Sequence, residues 1–439
     1  MNPKPGAPAF LPPPIFSALR NGMKIHAAPR ADLPLVSLRL VLPYGAETDP
    51  PGKAGLADLT AEMLTLGTRR LTAAQIAAEV DGLGASLSAH AGWEATVLHL
   101  QGLKEDLDRL LELLGEMVAE PSFPEEEFVQ LQQRRVAALA QQKDESQIVA
   151  GERFEEILFR GTPYDHPVQG TLKTVPLISR DETLDFYRRR SMPEGSFWVF
   201  SGDADPEDVF RRVEASFPRL SPGPAQTPPF HGVRPQGVKT FVVDRPDLTQ
   251  SQIRFGHLGI PPAHPDFCAF EVTNYILGGG GFSSRLMQRV RVDLGLTYGI
   301  RSSLELRRQA GPFTVATFTP TATTFRCVAE SLSILKSFRA EGASKKERDE
   351  AVQFLRGSYP LKFETLSQVA QRIAQAEMYG LGIEFLKNYP QKIEEVGEAE
   401  ILRCANTHID PENLVIAIVG RAEAFRREFE RLGSVEILK

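Results

Sequence analysis

Two carboxylates four residues apart, Asp58 and Glu62, stand in the run Asp58-Leu59-Thr60-Ala61-Glu62. On a helix that spacing puts both on one face. Such a pair could touch a hard divalent cation, but oxygen donors alone suit magnesium or calcium better than zinc. Catalytic zinc needs three protein ligands and one open position for water. With Ala61 between them, the two carboxylates have no acid beside them to take a proton from that water. The plainer reading is an ordinary amphipathic helix over 54–66 with two solvated acids. A second group lies far downstream. Four consecutive glycines, Gly278 to Gly281, precede Phe282, and Arg291 and Tyr298 follow, seven residues apart. A guanidinium is a fixed fork of donors for a carbonyl or carboxylate. A phenol can donate to a developing oxyanion. On spacing alone, Arg291 is a surface helix charge and Tyr298 a strand residue packing a core. The glycines free backbone for close approach to a ligand. They form neither a phosphate loop, since no Gly-Lys-Ser/Thr follows, nor a dinucleotide fingerprint, which needs one more glycine. The bland account is a cap for a helix over 284–292, with Ser283 or Ser284 at its start. The sharper account is substrate contact through Gly279, Gly280, Gly281 and Phe282.

The elements that position these residues are set by bulk properties first. A chain of 439 residues exceeds a single core, so two or more domains are expected. A composition of 42% hydrophobic and 24% charged residues is globular, and a net charge of −6 offers no attraction for nucleic acid or anionic lipid. No apolar run approaches membrane-spanning length. The start, MNPKPGAPAFLPPP, lacks the pattern of a signal peptide and is expected to be an extended arm over 1–18. The expected compartment is the cytoplasm, or the periplasm if a leader has been removed. Cys268, Cys327 and Cys404 have no metal-type spacing and read as apolar fillers. The eight histidines never occur four apart, so no second imidazole pair stands elsewhere. His166, beside Pro167 in a turn, reads as structural.

The chain repeats itself. Arg30, Asp32, Leu33 and Arg39 recur as Arg245, Asp247, Leu248 and Arg254, an offset of 215. Pro193-Glu194 and the strand 197–202 recur as Pro411-Glu412 and 414–420, an offset of 218. Two echoes at nearly one offset mean duplication. A Pro-rich stretch over 221–237 separates the halves 19–220 and 238–439. Each half opens on strands (23–44 and 238–258), continues through helix, and has a second strand segment (85–103 and 298–319). Alternation is plain in Thr96-Val97-Leu98-His99-Leu100. Further helices are expected over 107–118 and 345–355, and each half closes on a strand and a helix. Strands grouped with helices packed on one side mean α+β, with two homologous halves.

The frame around the acids is Tyr44-Gly45-Ala46-Glu47, Gly55-Leu56-Ala57, then Met63-Leu64 and Gly67-Thr68. It closely resembles the start of the pitrilysin/insulinase family of zinc peptidases, which writes Gly-Leu-Ala-His-x-x-Glu-His-Met there. Aligned without gaps, the histidines fall on Asp58 and Glu62 and the catalytic Glu on Ala61. These are degenerate metal positions. The family's third ligand is a Glu on a later helix, and in the matching helix, 128–143, the resemblance puts Ala137 and Ala138 near that place. Residues 276–300, ILGGGGFSSRLMQRVRVDLGLTYGI, resemble the family's C-terminal signature, whose Arg and Tyr reach the scissile peptide. Stretches at 164–171, 186–203 and 363–380 carry the likeness over about 19–429.

The resemblance implies a duplicated clamshell, each half a mostly antiparallel sheet packed with helices, the halves facing each other. It also implies a division of labour known from bacterial members similar to the mitochondrial processing peptidase. On that reading this chain is the zinc-free partner of a heteromeric metallopeptidase, inactive alone. It holds peptide through Arg291 and Tyr298 in trans to a zinc-bearing homologous subunit. The chain itself carries no cofactor; zinc is expected in the partner. In isolation, a homodimer is the alternative assembly. Two other functions stay open: a structural scaffold, as in metal-free relatives of respiratory complexes, and a self-contained peptidase with an atypical site.

Overall fold

The computed structural model describes residues 11–438 apart from 13, 21, 191–193 and 218–226. The strands are β1 (Ile15–Ala18), β2 (Lys24–Pro29), β3 (Leu35–Leu42), β4 (Ser86–Ala91), β5 (Thr96–Leu103) and β6 (Phe197–Gly202), then β7 (Val238–Asp244), β8 (Gln250–Leu258), β9 (Ile300–Leu304), β10 (Pro312–Pro320), β11 (Leu414–Gly420) and β12 (Gly433–Leu438). They build two six-stranded sheets, ordered β1-β2-β6-β3-β5-β4 and β12-β7-β11-β8-β10-β9. Apart from the first-named edge strands, the two orders are the same path taken twice. β2 runs parallel to β6, and β7 runs parallel to β11 and β12; the other pairings are antiparallel.

Sequence pattern explains which strands are central. β6, Phe-Trp-Val-Phe-Ser-Gly, and β11, Leu-Val-Ile-Ala-Ile-Val-Gly, are apolar runs buried at every residue, as strands covered on both faces must be. β5 alternates buried and half-buried positions, matching its alternating sequence. The extra edges come from opposite ends of the chain. β1 lies within the stretch expected to be an arm, antiparallel to β2. β12 lies parallel to β7 at the tail, after the helix on which the second half is expected to close; that helix is the short Arg426–Phe429.

The chain forms two compact units, and they do not coincide with the halves 19–220 and 238–439. One holds residues up to 140, 167–229 and 360–387; the other holds 141–166, 230–359 and 388–439. Each unit takes a helix from the other half of the sequence. The helix Leu366–Met378 packs on β3 and β6, and the helix Ser146–Leu158 packs on β8 and β11. The physical need is the same in both: a central strand that is apolar on both faces must be covered on both.

The first unit's core joins Leu38, Leu40, Leu98, Leu100 and Phe200 of the sheet to Leu56, Leu59 and Met63 of the helix Leu56–Met63. In the second unit, Arg307 is fully buried between the rings of Phe159 and Tyr164, its carbon 4.3 and 5.0 Å from their centroids. It is neutralised by Glu155 at 2.5 Å and Glu305 at 3.1 Å. A buried guanidinium is tolerable only when paired in this way.

Candidate functional site

The first candidate is the helix Leu56–Met63 that carries the two acids. Gly55 begins it at φ 97°, a left-handed conformation that favours glycine. The Asp49 carboxylate accepts from the backbone N–H groups of Gly55 and Ala57, both at 2.8 Å, and so satisfies the start of the helix. Leu56, Leu59 and Met63 face the core. Ala61, at the position of the family's catalytic Glu, is completely buried among them.

Asp58 and Glu62 share the face turned toward the helix Glu125–Gln142, and both pair with one side chain, Arg135. Its Nη1 pairs with Asp58 Oδ2 and its Nη2 with Glu62 Oε1. Asp58 and Arg135 are buried, with side chains 7% and 9% exposed, and Glu62 is 35% exposed. Asp58 is therefore not the solvated acid of the plainer sequence reading. Burial pushes its carboxyl up to about 6, the Arg135 charge working against that rise and Glu62 with it. Burial likewise pushes Asp49 up to about 8, against the amides of Ala57 and Gly55.

The alanines expected near the third-ligand position, Ala137 and Ala138, are exposed. The buried face of that helix is Phe128, Leu131, Arg135 and Leu139. This spacing was available in the sequence: Arg135 interrupts an otherwise apolar stripe at helical period. A charged residue on such a stripe signals a buried partner, and two acids four apart on another helix are one.

The donor set does not fit catalytic zinc. It consists of two carboxylates and a guanidinium that cannot deprotonate. A unit positive charge, covalently attached, already stands against both carboxylates. Elsewhere, among the described residues, one cluster of possible ligands occurs: His264, Asp266 and His408. Its groups are already engaged. Arg403 grips Asp266 at 2.6 and 2.9 Å, His408 Nε2 lies 2.8 Å from it, and His264 Nδ1 accepts from the Asp266 amide at 3.0 Å.

The second candidate lies in the other unit. Tyr275–Gly279 and Met287–Asp293 are both π-helical turns, a geometry frequent at functional sites. No regular cap forms at the second. The Ser284 hydroxyl, expected as a cap, donates instead to Gly281 O at 2.7 Å. Gly278 packs so closely on β9 that a Cβ would lie 2.5 Å from Ser302 Oγ and 2.6 Å from its amide nitrogen. Gly279, Gly280 and Gly281 form the turn behind it, with Gly279 and Gly281 exposed and Gly281 at φ 58°.

From this frame Arg291 projects between two exposed rings. Its guanidinium carbon is 4.4 Å from the Phe282 centroid and 4.9 Å from that of Tyr298. Phe282 is 58% exposed and Tyr298 77%. In place of a plain surface charge and a core tyrosine, the structure has a stacked cation with an exposed phenol beside it. Such stacking fixes a long flexible side chain and leaves its N–H edges free to donate.

Fold and sites together define a peptidase-like protein of two homologous units, with Arg135 paired to Asp58 and Glu62 in the first and an aromatic-clamped arginine in the second. Residues 28–172 match the family model described as insulinase (peptidase family M16), and 177–355 match that described as the peptidase M16 inactive domain. The chain belongs to peptidase family M16.

A Rickettsia bellii protein described as an uncharacterized zinc protease is 26% identical over 408 residues, 92% of this chain and 97% of that relative. The Helicobacter pylori protein described as non-peptidase homolog YmxG is 26% identical over 388 residues, 88% and 89% of the two chains. The crystal structure of a peptidase M16 inactive domain from Pseudomonas fluorescens superposes with a TM-score of 0.87 at 25% identity, covering 93% of this chain and 98% of that one. A protease from Helicobacter pylori shares the fold at a TM-score of 0.86 and 19% identity, covering 93% and 100%. Lacking both histidines and the catalytic Glu, this chain is a non-catalytic member of the family. No helix among the described residues is long and apolar enough to cross a membrane.

Proposed function

We propose that this chain is the zinc-free partner of a zinc-bearing M16 homologue and orients peptide substrate for hydrolysis by it. The observation that carries this reading is the contrast between the two sites. Arg135 closes the metal position, while Arg291 stands stacked and open between Phe282 and Tyr298. Arg291 would donate to a substrate carbonyl or carboxylate. Tyr298 would donate to the oxyanion that develops on the scissile carbonyl during hydrolysis by the zinc-bearing partner. Holding the peptide in this way lowers the barrier through orientation, without chemistry on this chain. Gly279, Gly280, Gly281 and Phe282 would supply backbone and ring contacts beside the pair.

The test is a mixing assay. The chain alone should bind well under one zinc per molecule and cleave nothing. Mixed with a homologue carrying intact His-x-x-Glu-His, it should raise chelator-sensitive peptide hydrolysis well above that of the homologue alone. An unchanged rate refutes the partner role and favours a scaffold. Chelator-sensitive cleavage by this chain alone refutes the non-catalytic assignment.

A further inference from the structure

The second sheet carries two arginines whose charge is unanswered. Arg254 on β8 and Arg301 on β9 are both in register with Ala316 of the intervening β10. Residues in register across a sheet point to the same face, so the two guanidiniums flank Ala316 on one side. Among the described residues no carboxylate pairs with either. Arg254 is half-buried and donates only to the neighbouring Ile253 carbonyl, at 2.9 Å. Arg301 is exposed, as is Ser303 on the same face of β9. Burial, and then the Arg301 charge, lowers Arg254 from its ordinary value.

The duplicated counterpart sharpens the point. Arg39 occupies the position of Arg254 in the first unit, at the offset of 215. There the covering helix answers it: Arg39 Nη2 donates to Ser367 Oγ at 2.7 Å and to the Ser367 carbonyl at 3.3 Å. In the second unit the covering helix packs on β8 and β11, but none of its three acids pairs with Arg254: Glu155 pairs with Arg307, Glu156 with Arg153, and Glu152 with neither arginine of the row. One copy of the arginine is satisfied internally; the other, joined by Arg301, is not. Two like charges held on one sheet face with no counter-ion repel each other, and an anion placed between them removes that cost.

We infer that the Arg254–Arg301 row is a subsite for an acidic side chain of the peptide held at Arg291 and Tyr298. This deepens the proposed function and rests on it. Arg301 follows Tyr298 by three residues, Tyr298 lying at a bend just before β9 and Arg301 at the second residue of that strand. An acidic residue a few positions from the segment touching Tyr298 is the group this row would take. The substrate class is a peptide bearing Asp or Glu near the bond to be cut, matched by charge to this face.

The experiment separates this inference from the partner role by measuring binding to the full chain alone. The probe is a labelled, C-terminally amidated Gly-Ser peptide with three glutamates, set against its twin with three glutamines. Amidation leaves only side-chain carboxylates to recognise. The glutamate peptide should bind roughly tenfold more tightly, consistent with charge-assisted bonds to Arg, and the preference should shrink as salt rises. Arg301→Gln, at an exposed position, should remove most of the preference with the melting temperature unchanged, and adding Arg254→Gln should abolish it. Equal binding of the two peptides, or a preference that survives both substitutions, overturns the subsite. Failure of the mixing assay with the glutamate preference intact would instead count against the partner role alone.

Discussion

Removing Arg135 tests the idea that its guanidinium stands in for a metal ion. In Arg135→Met, Glu62, a third exposed, can turn to water, but Asp58 is nearly enclosed. Breaking a buried ion pair by deleting one partner costs about 3–5 kcal/mol. At about 2–4 °C per kcal/mol for a unit of this size, the melting temperature at pH 8 should fall by roughly 10 °C. The loss should depend on pH in a definite direction. The folded value of Asp58 is about 6, above its unfolded 3.8, so the folded state binds the proton more tightly. Its contribution is fully present below about pH 4, is lost as pH rises through about 6, and is flat above that. Without Arg135 the carboxyl rises further, and the decline continues past neutrality. The difference between variant and parent should therefore be small at pH 5 and large at pH 8. Adding Asp58→Asn should recover most of the loss at pH 8, because an amide needs no counter-charge. Thermal melts of the three proteins at both pH values check this. An equal loss at pH 5 and 8, or no recovery with asparagine, would show that Arg135 acts by packing and not by charge.

In the mixed peptidase, Arg291→Ala should lower turnover by roughly tenfold to a hundredfold, as loss of a donor to a developing charge does. Tyr298→Phe should act in the same direction, with co-elution of the two chains unchanged; unaltered turnover would remove both residues from the site. Gly278→Ala should cost about 1–3 kcal/mol in a chemical melt, since its Cβ would press on the backbone and hydroxyl of Ser302. A neutral result there would mean that β9 gives way easily.

The fold was readable where local pattern and global position agree. The apolar run of Leu414–Gly420 and the alternation of Thr96–Leu103 each state how many faces of the strand are covered. The repeat at offsets of 215 and 218 foretells two sheets of one order. What escaped was set by tertiary partners. β12 is short and half-exposed, and only pairing with β7 makes it a strand. The π-turns of Tyr275–Gly279 and Met287–Asp293 depend on a hydrogen-bond register that composition does not encode. Arg135 was visible as an arginine in a buried stripe, yet its meaning lay in Asp58 and Glu62, on a helix some seventy residues earlier. The stacking of Arg291 between Phe282 and Tyr298 joins residues seven and nine apart across a turn whose geometry only the folded chain reveals.

The exchanged helices govern how the protein can be made. The first sheet is covered only when Leu366–Met378 arrives, yet all six of its strands are complete by Gly202. At about 5–20 residues per second, translation leaves that face bare for roughly ten to thirty seconds. During that interval Arg39 lacks Ser367, and the face of β3 and β6 is exposed to chaperones and to other nascent chains. A truncation anywhere between the two halves would therefore yield not a smaller stable protein but two incomplete ones. The duplicated halves are tied together in folding: each carries a helix that covers the other's central strands.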